Sequence, residues 1–177
     1  MDDQYKALIN RYIKAKDANK PHLMKGVFSK DAILEMKVES QNISFPAAVN
    51  GLNEITETLI REFNKTYENI YTICITDTLE QGENALNCRW LVGMTEKVSG
   101  LSKVGFGDYQ WTFESRGENL ASRLTIIIEN MTVLPEEFQP DVAAWFDSLT
   151  YPWALSSEVL SSIPDIALLT EVRSNIV

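Results

Sequence analysis

The sequence predicts an α+β domain with helices packed on one face of an antiparallel sheet. Three observations lead there. Apolar residues recur at helical spacing over residues 3–16 and 51–65, and again beyond Pro135. From Ile70 to Val133 the chain is β-rich, with four long strand-like runs. Short turn sequences, not helices, separate those runs, so successive strands pair antiparallel.

Residues 3–16 place Tyr5, Leu8, Ile9, Tyr12 and Ile13 on one stripe of an amphipathic helix. "DANKP" interrupts it, and Pro21 suits the first position of a second helix reaching Phe28. In "AILEMKV" (32–38), Ala32, Leu34, Met36 and Val38 share one face of a strand, and Ile33, Glu35 and Lys37 the other. The third helix, 51–65, buries Leu52, Ile55, Leu59, Ile60 and Phe63. "IYTICITDTL" and "ALNCRWLVGMTEKV" then flank "EQGE", a hairpin turn around Gly82. "SKVGFGDYQWTFE" and "SRLTIIIENMTV" follow, divided by the turn "SRGEN". Past Pro135, "PDVAAWFDSL" is helical, and "SSEVLSSIPDIALLTEV" forms two short helical pieces divided at Pro164.

With 177 residues, 45% of them hydrophobic and 23% charged, the chain suits one soluble domain with a sizeable core. The net charge of −9 leaves no basic stripe for nucleic acid or for an anionic membrane surface. "MDDQYKALINRY" is acidic and amphipathic, unlike a secretory or transit segment, so a cytoplasmic location is expected. Two cysteines and one histidine cannot build a Cys/His zinc site without several carboxylates, and neither metal nor cofactor is expected. Cys74 and Cys88 are expected on adjacent strands as small buried apolar residues, with a disulfide as the lesser alternative. No G-x-S-x-G or phosphate-loop spacing occurs.

The element order, together with "RYIKAKDANKPHLMKGVFSKDAIL" (11–34), "NGLNEI" (50–55), "EQGENAL" (80–86) and "GFGDYQWTF" (105–113), resembles the nuclear transport factor 2-like superfamily. Ketosteroid isomerases and SnoaL-like polyketide cyclases belong to it. The resemblance spans residues 5–133 and implies a cone, in which a strongly bent sheet wraps around helices and leaves a pocket at its open end. Residues 1–134 would form that domain, and 135–177 a helical extension of it. Gly105, Gly107, Tyr109, Trp111 and Phe113 share one parity. The two glycines would let the strand bend and leave room, while the aromatics line the remainder; the alternative is that the glycines serve curvature alone.

Tyr12 matches the tyrosine that resembles the isomerases' oxyanion-hole donor. The isomerases' general base falls on Met36, which cannot take a proton, so steroid isomerisation is not expected. Their second donor falls on Tyr109, or on Asp108 after a one-residue slip; parity puts Tyr109 inside and Asp108 outside. Glu129, on a largely apolar strand, is a further candidate acid or base, or a residue of the strand's solvent end or of a subunit contact. His22, in the first turn of the second helix, lacks the second histidine of the scytalone dehydratase pattern. Trp90, Met36, Trp111 and Phe113 complete the expected ligand-binding wall.

The expected function is small-molecule binding. Cofactor-independent proton transfer on an apolar, carbonyl-bearing substrate is one reading; a module that holds a hydrophobic ligand or a partner protein without chemistry is the alternative. A homodimer is expected too, because "LTIII" carries apolar residues of both parities and one face must be covered by a partner sheet. The apolar tail is expected to dock, over the cone's mouth as a lid or at the dimer seam.

Overall fold

The structure, a computed structural model, describes residues 3–177. Helix α1 (Asp3–Asp17) forms on the apolar stripe and buries Tyr5, Leu8, Ile9, Tyr12 and Ile13. One turn further along, the same stripe buries Lys16. The second helix is shorter than its sequence suggests, a 3₁₀ segment over Pro21–Gly26. Phe28 already pairs with Ala121, so strand β1 runs Phe28–Val38 instead of starting at Ala32. Pairing with a long neighbour outweighs a short helical preference.

A short strand β2 (Ala48–Asn50) precedes the third helix. That helix comprises α2 (Leu52–Thr56), a π-helical stretch (Glu57–Glu62) and α3 (Phe63–Thr66) in direct succession. Gly51 enters it at φ 92°, a conformation that costs little only without a Cβ. The meander follows as β3 (Tyr67–Ile75), β4 (Glu80–Gln81), β5 (Ala85–Glu96), β6 (Ser102–Phe113) and β7 (Ala121–Val133). The tail adds α4 (Gln139–Ser148), β8 (Trp153–Ala154), α5 (Ser156–Ser162) and α6 (Thr170–Asn175).

The eight strands form one sheet in the order β2-β1-β7-β6-β5-β3-β8, with β4 beside β5. It is mixed, which corrects the all-antiparallel expectation: β1 runs parallel to β7, and β8 parallel to β3. Neither pair is joined by a tight turn, so nothing local forces the strands to oppose. On the concave side, α1 and the α2–α3 helix fill the sheet with the larger apolar cluster, which includes Ile9, Ile13, Ile55, Ile60, Leu124 and Trp111.

The tail corrects the expected lid. Val142, Trp145, Phe146, Val159, Leu169 and Val172 form a second cluster with Ile73, Ile75, Leu91, Val104 and Phe106. Those sheet residues alternate with the inward ones, so the tail covers the convex face of β3, β5 and β6, while its Trp153 joins the concave cluster at the sheet edge. The convex face of these strands is apolar enough to need a cover, and the tail has the matching surface. At the edge, β8 extends the sheet while the Trp153 indole N–H donates to Asn10 Oδ1 at 2.6 Å.

The glycines of β6 leave no open space. A Cβ on Gly107 would lie 1.8 Å from the Ile127 carbonyl oxygen, and one on Gly105 would lie 2.5 Å from the Met131 methyl. Their β6–β7 register shifts by one residue between Phe106 and Gly107. The missing side chains thus allow a bulge and close backbone approach, which curve the sheet.

Candidate functional site

Under the concave face lies an internal cavity of about 40 Å³. Helix α1 contributes Tyr12 and Lys16, and the α2–α3 helix contributes Leu59 and Phe63. From the sheet come Met36, Trp90, Met94, Tyr109 and Met131 together with branched aliphatic residues. Ile43 and Phe45 close it from the loop between β1 and β2. Phe45 stacks on Phe63 with ring centroids 6.2 Å apart. That pair separates the cavity from an outer groove of about 240 Å³, which shares Ile43, Phe45 and Phe63. The loop is held down where Asn42 Nδ2 donates to the Met131 carbonyl at 2.6 Å and Lys103 Nζ donates to the Asn42 carbonyl at 2.9 Å.

Tyr12 and Tyr109 meet edge to face in this cavity, with centroids 6.1 Å apart. Burial pushes both phenols well above the ordinary phenol range; for Tyr12, a hydrogen bond from Tyr109 works in the other direction. Both therefore remain neutral; with Tyr109 donating to Tyr12, the Tyr12 hydroxyl is the one left to donate to an acceptor oxygen. Trp90 lies beside Tyr109, centroids 5.7 Å apart, and its buried indole N–H has no hydrogen-bond partner.

The other expected site residues lie elsewhere. Trp111 stacks on Phe28 at 5.7 Å and Phe113 on Tyr5 at 4.0 Å, both as packing deeper in the cone. His22 is exposed on the 3₁₀ segment. Asp108 and Glu129 are on the convex side, where Arg89 donates to Asp108 Oδ1 at 3.0 Å and to Glu129 Oε2 at 2.6 Å. Burial opposes the Arg89 charge, yet the two carboxylates raise its pKa overall. Arg89 also donates to the Asn175 carbonyl at 2.5 Å, so this cluster fastens the tail to the sheet. Cys74 and Cys88 are free thiols, buried on β3 and β5. Among the described residues, no group of three or more His, Cys, Asp or Glu side chains could hold a metal.

Lys16 is the polar group that sequence reading passed over. Its Nζ donates to Thr72 Oγ1 at 2.5 Å and to Asp17 Oδ1 at 3.2 Å. The Asp17 carboxylate in turn accepts from the Thr72 amide (2.7 Å), the Thr72 hydroxyl (2.9 Å) and the Tyr151 hydroxyl (2.7 Å). A signal was present: position 16 follows Tyr12 by four residues and so prolongs the buried stripe of α1.

No protein-family model and no curated protein matches this sequence. Solved structures do match in shape. A nuclear transport factor 2-like protein from Burkholderia thailandensis superposes with a TM-score of 0.56 at 12% identity, covering 71% of this chain and 89% of that one. The chain has the nuclear transport factor 2-like fold. A protein of ketosteroid isomerase-like fold from Catenulispora acidiphila, solved in complex with trimethylamine, gives a TM-score of 0.55 at 11% identity, over 67% of this chain and 82% of its own. The Mycobacterium tuberculosis protein RV0760c, in complex with estradiol-17β-hemisuccinate, gives 0.56 at 7% identity, over 70% of this chain and 92% of its own. Within this nuclear transport factor 2-like fold, the cavity lies on the concave side of the sheet, between it and the helices.

Proposed function

We propose that the protein binds a small apolar molecule carrying an acceptor oxygen inside the cone, and holds it without carboxylate-driven proton transfer. The observation that carries this reading is the make-up of the cavity wall: two neutral phenols and the ring of Trp90, whose indole N–H has no hydrogen-bond partner, in a lining that is otherwise apolar apart from Lys16 and holds no Asp, Glu or His. Such a wall orients a ligand through a few donors and retains it through apolar contact. Proton transfer needs a base within hydrogen-bond reach. Met36 is no base, and Asp108 and Glu129 are engaged by Arg89 on the opposite face. That two proteins of the same fold hold small organic molecules supports a ligand role here.

A volume of about 40 Å³ holds roughly three waters. A larger guest is admitted by rearrangement of Met36, Met94 and Met131, whose unbranched side chains repack readily, and by rotation of Phe45 toward the outer groove. Titration with 2-hexanone, followed through ¹³C-methyl methionine signals, is expected to move Met36, Met94 and Met131 while leaving Met24 unchanged. Tyr12→Phe should weaken that binding about two- to tenfold, the worth of one neutral hydrogen bond. Absence of any shift at the three cavity methionines would refute the reading.

A homodimer belongs to the same proposal. With β3, β5 and β6 covered by the tail, the convex surface left for a second copy is that of β1 and β7, where Ile127 is half-buried beside the Arg123–Glu35 pair. Sedimentation should give about twice 20.1 kDa at micromolar concentration; a species of 20.1 kDa removes this part of the proposal.

A further inference from the structure

We infer that the cavity's ligand is an anion, an apolar carboxylate whose head group is held by Lys16. The inference rests on the cavity being a ligand site, as proposed above, and goes beyond it by naming the ligand's charge and its anchor.

Lys16 lines the cavity and is only 6% exposed. A lysine ammonium has three N–H donors. Two go to Thr72 Oγ1 and Asp17 Oδ1, and the ammonium also lies over the ring of Phe63, 5.1 Å from its centroid, at the cavity wall. Asp17 is not dependent on it. Three other donors reach that carboxylate at 2.7–2.9 Å, closer than the 3.2 Å to Lys16. Thr72 and Asp17 therefore fix the cation in place, and the carboxylate is held by three further donors that do not depend on Lys16.

The rest of the wall points the same way. Trp90 is 4% exposed and its indole N–H is unpartnered. Tyr12 and Tyr109 add hydroxyls that stay protonated. Apart from those two phenol oxygens and the weakly accepting thioethers, the lining side chains offer no acceptor. A buried wall with a cation and several donors, and no carboxylate of its own, is complementary to an oxyanion. A neutral ketone can use the Tyr12 phenol but leaves the ammonium facing an apolar guest. A carboxylate engages both and leaves its chain to the methionines and Phe45. A free cation or an amine ligand would be repelled by Lys16.

The experiment compares hexanoate with 2-hexanone on the full-length protein, using the same methionine methyl signals. Hexanoate should bind at least about tenfold more tightly, the range for a hydrogen bond to a charged group. Lys16→Met should erase that advantage, bringing the ratio of hexanoate to 2-hexanone affinity to about one. Trp90→Phe, which keeps the ring but removes the N–H, should weaken both ligands about two- to tenfold. If Lys16→Met does not fold, the ratio in the unaltered protein still decides. Equal binding of the two probes, or a preference for the ketone, overturns the anion assignment while leaving the ligand cavity intact. If neither probe shifts Met36, Met94 or Met131, the cavity reading itself falls and this inference with it.

Discussion

Removing residues 135–177 is expected to yield an insoluble or molten protein instead of a well-packed cone with a looser pocket. The truncation would strip the cover from Ile73, Ile75, Leu91, Val104 and Phe106, all at most 3% exposed in the intact chain. Each such side chain contributes roughly 1.5–3 kcal/mol when buried, and the tail loses as many apolar partners of its own. Even heavily discounted for a compact unfolded state, the sum reaches the whole stability of about 5–15 kcal/mol typical of a domain. The cut would also remove the β8 edge strand and the Arg89–Asn175 hydrogen bond. Soluble yield, a cooperative thermal transition and binding of a hydrophobic dye check this directly. A truncated protein that stays soluble, melts cooperatively and binds no dye would show that the convex face does not need its cover.

Gly107→Ala is expected to be the most damaging single methyl addition in the sheet. Its Cβ would fall 1.8 Å from the Ile127 carbonyl oxygen and 2.8 Å from the Ile127 carbonyl carbon, both backbone atoms that no rotamer change can move. The Trp90 ring, at 2.9 Å, lies on the same path. Relief requires β6 and β7 to part at the bulge, which breaks ladder hydrogen bonds and shifts a cavity wall. A loss above about 4 kcal/mol follows from strain of this kind in a packed region. For a chain of this length that corresponds to roughly 8–16 °C in Tm. Gly100→Ala is the control: nothing lies within 4 Å of its Cβ, so only its φ of +72° matters and the loss should be about 1–2 kcal/mol. Similar Tm values for the two variants would mean that the close approach at Gly107 is not as tight as it stands.

Much of the fold is legible in the residues because it rests on local periodicity. The stripe of α1, the alternation of β5 and β6 and the turn at Gly82 all follow from spacing alone, and their limits fall within two residues of expectation. Parity also suffices to put Tyr109 inward and Asp108 outward, as the structure has them, because a strand's side chains alternate whatever it pairs with. Met36 and Trp90 face inward for the same reason, and Tyr12 does so through the helical stripe of α1.

Three features needed the third dimension. Strand direction in the β1–β7 and β3–β8 pairs depends on where distant segments meet, which no local pattern encodes. The docking place of the tail depends on which apolar face lacks a cover once the cone has closed, and the convex residues Leu91, Val104 and Phe106 look like ordinary strand residues until that face is assembled. The role of β6's glycines depends on how near β7 approaches, so missing side chains that read as space turn out to be filled by the Ile127 backbone and Met131. Lys16 stands between these cases. Its position on the α1 stripe declares it buried, but whether a buried lysine is neutralised or presented is set by contacts from residues more than fifty positions away, Thr72 on its ammonium and Tyr151 on the neighbouring Asp17 carboxylate. Burial is a property of periodicity, whereas charge compensation is a property of contacts, and only the folded chain determines those.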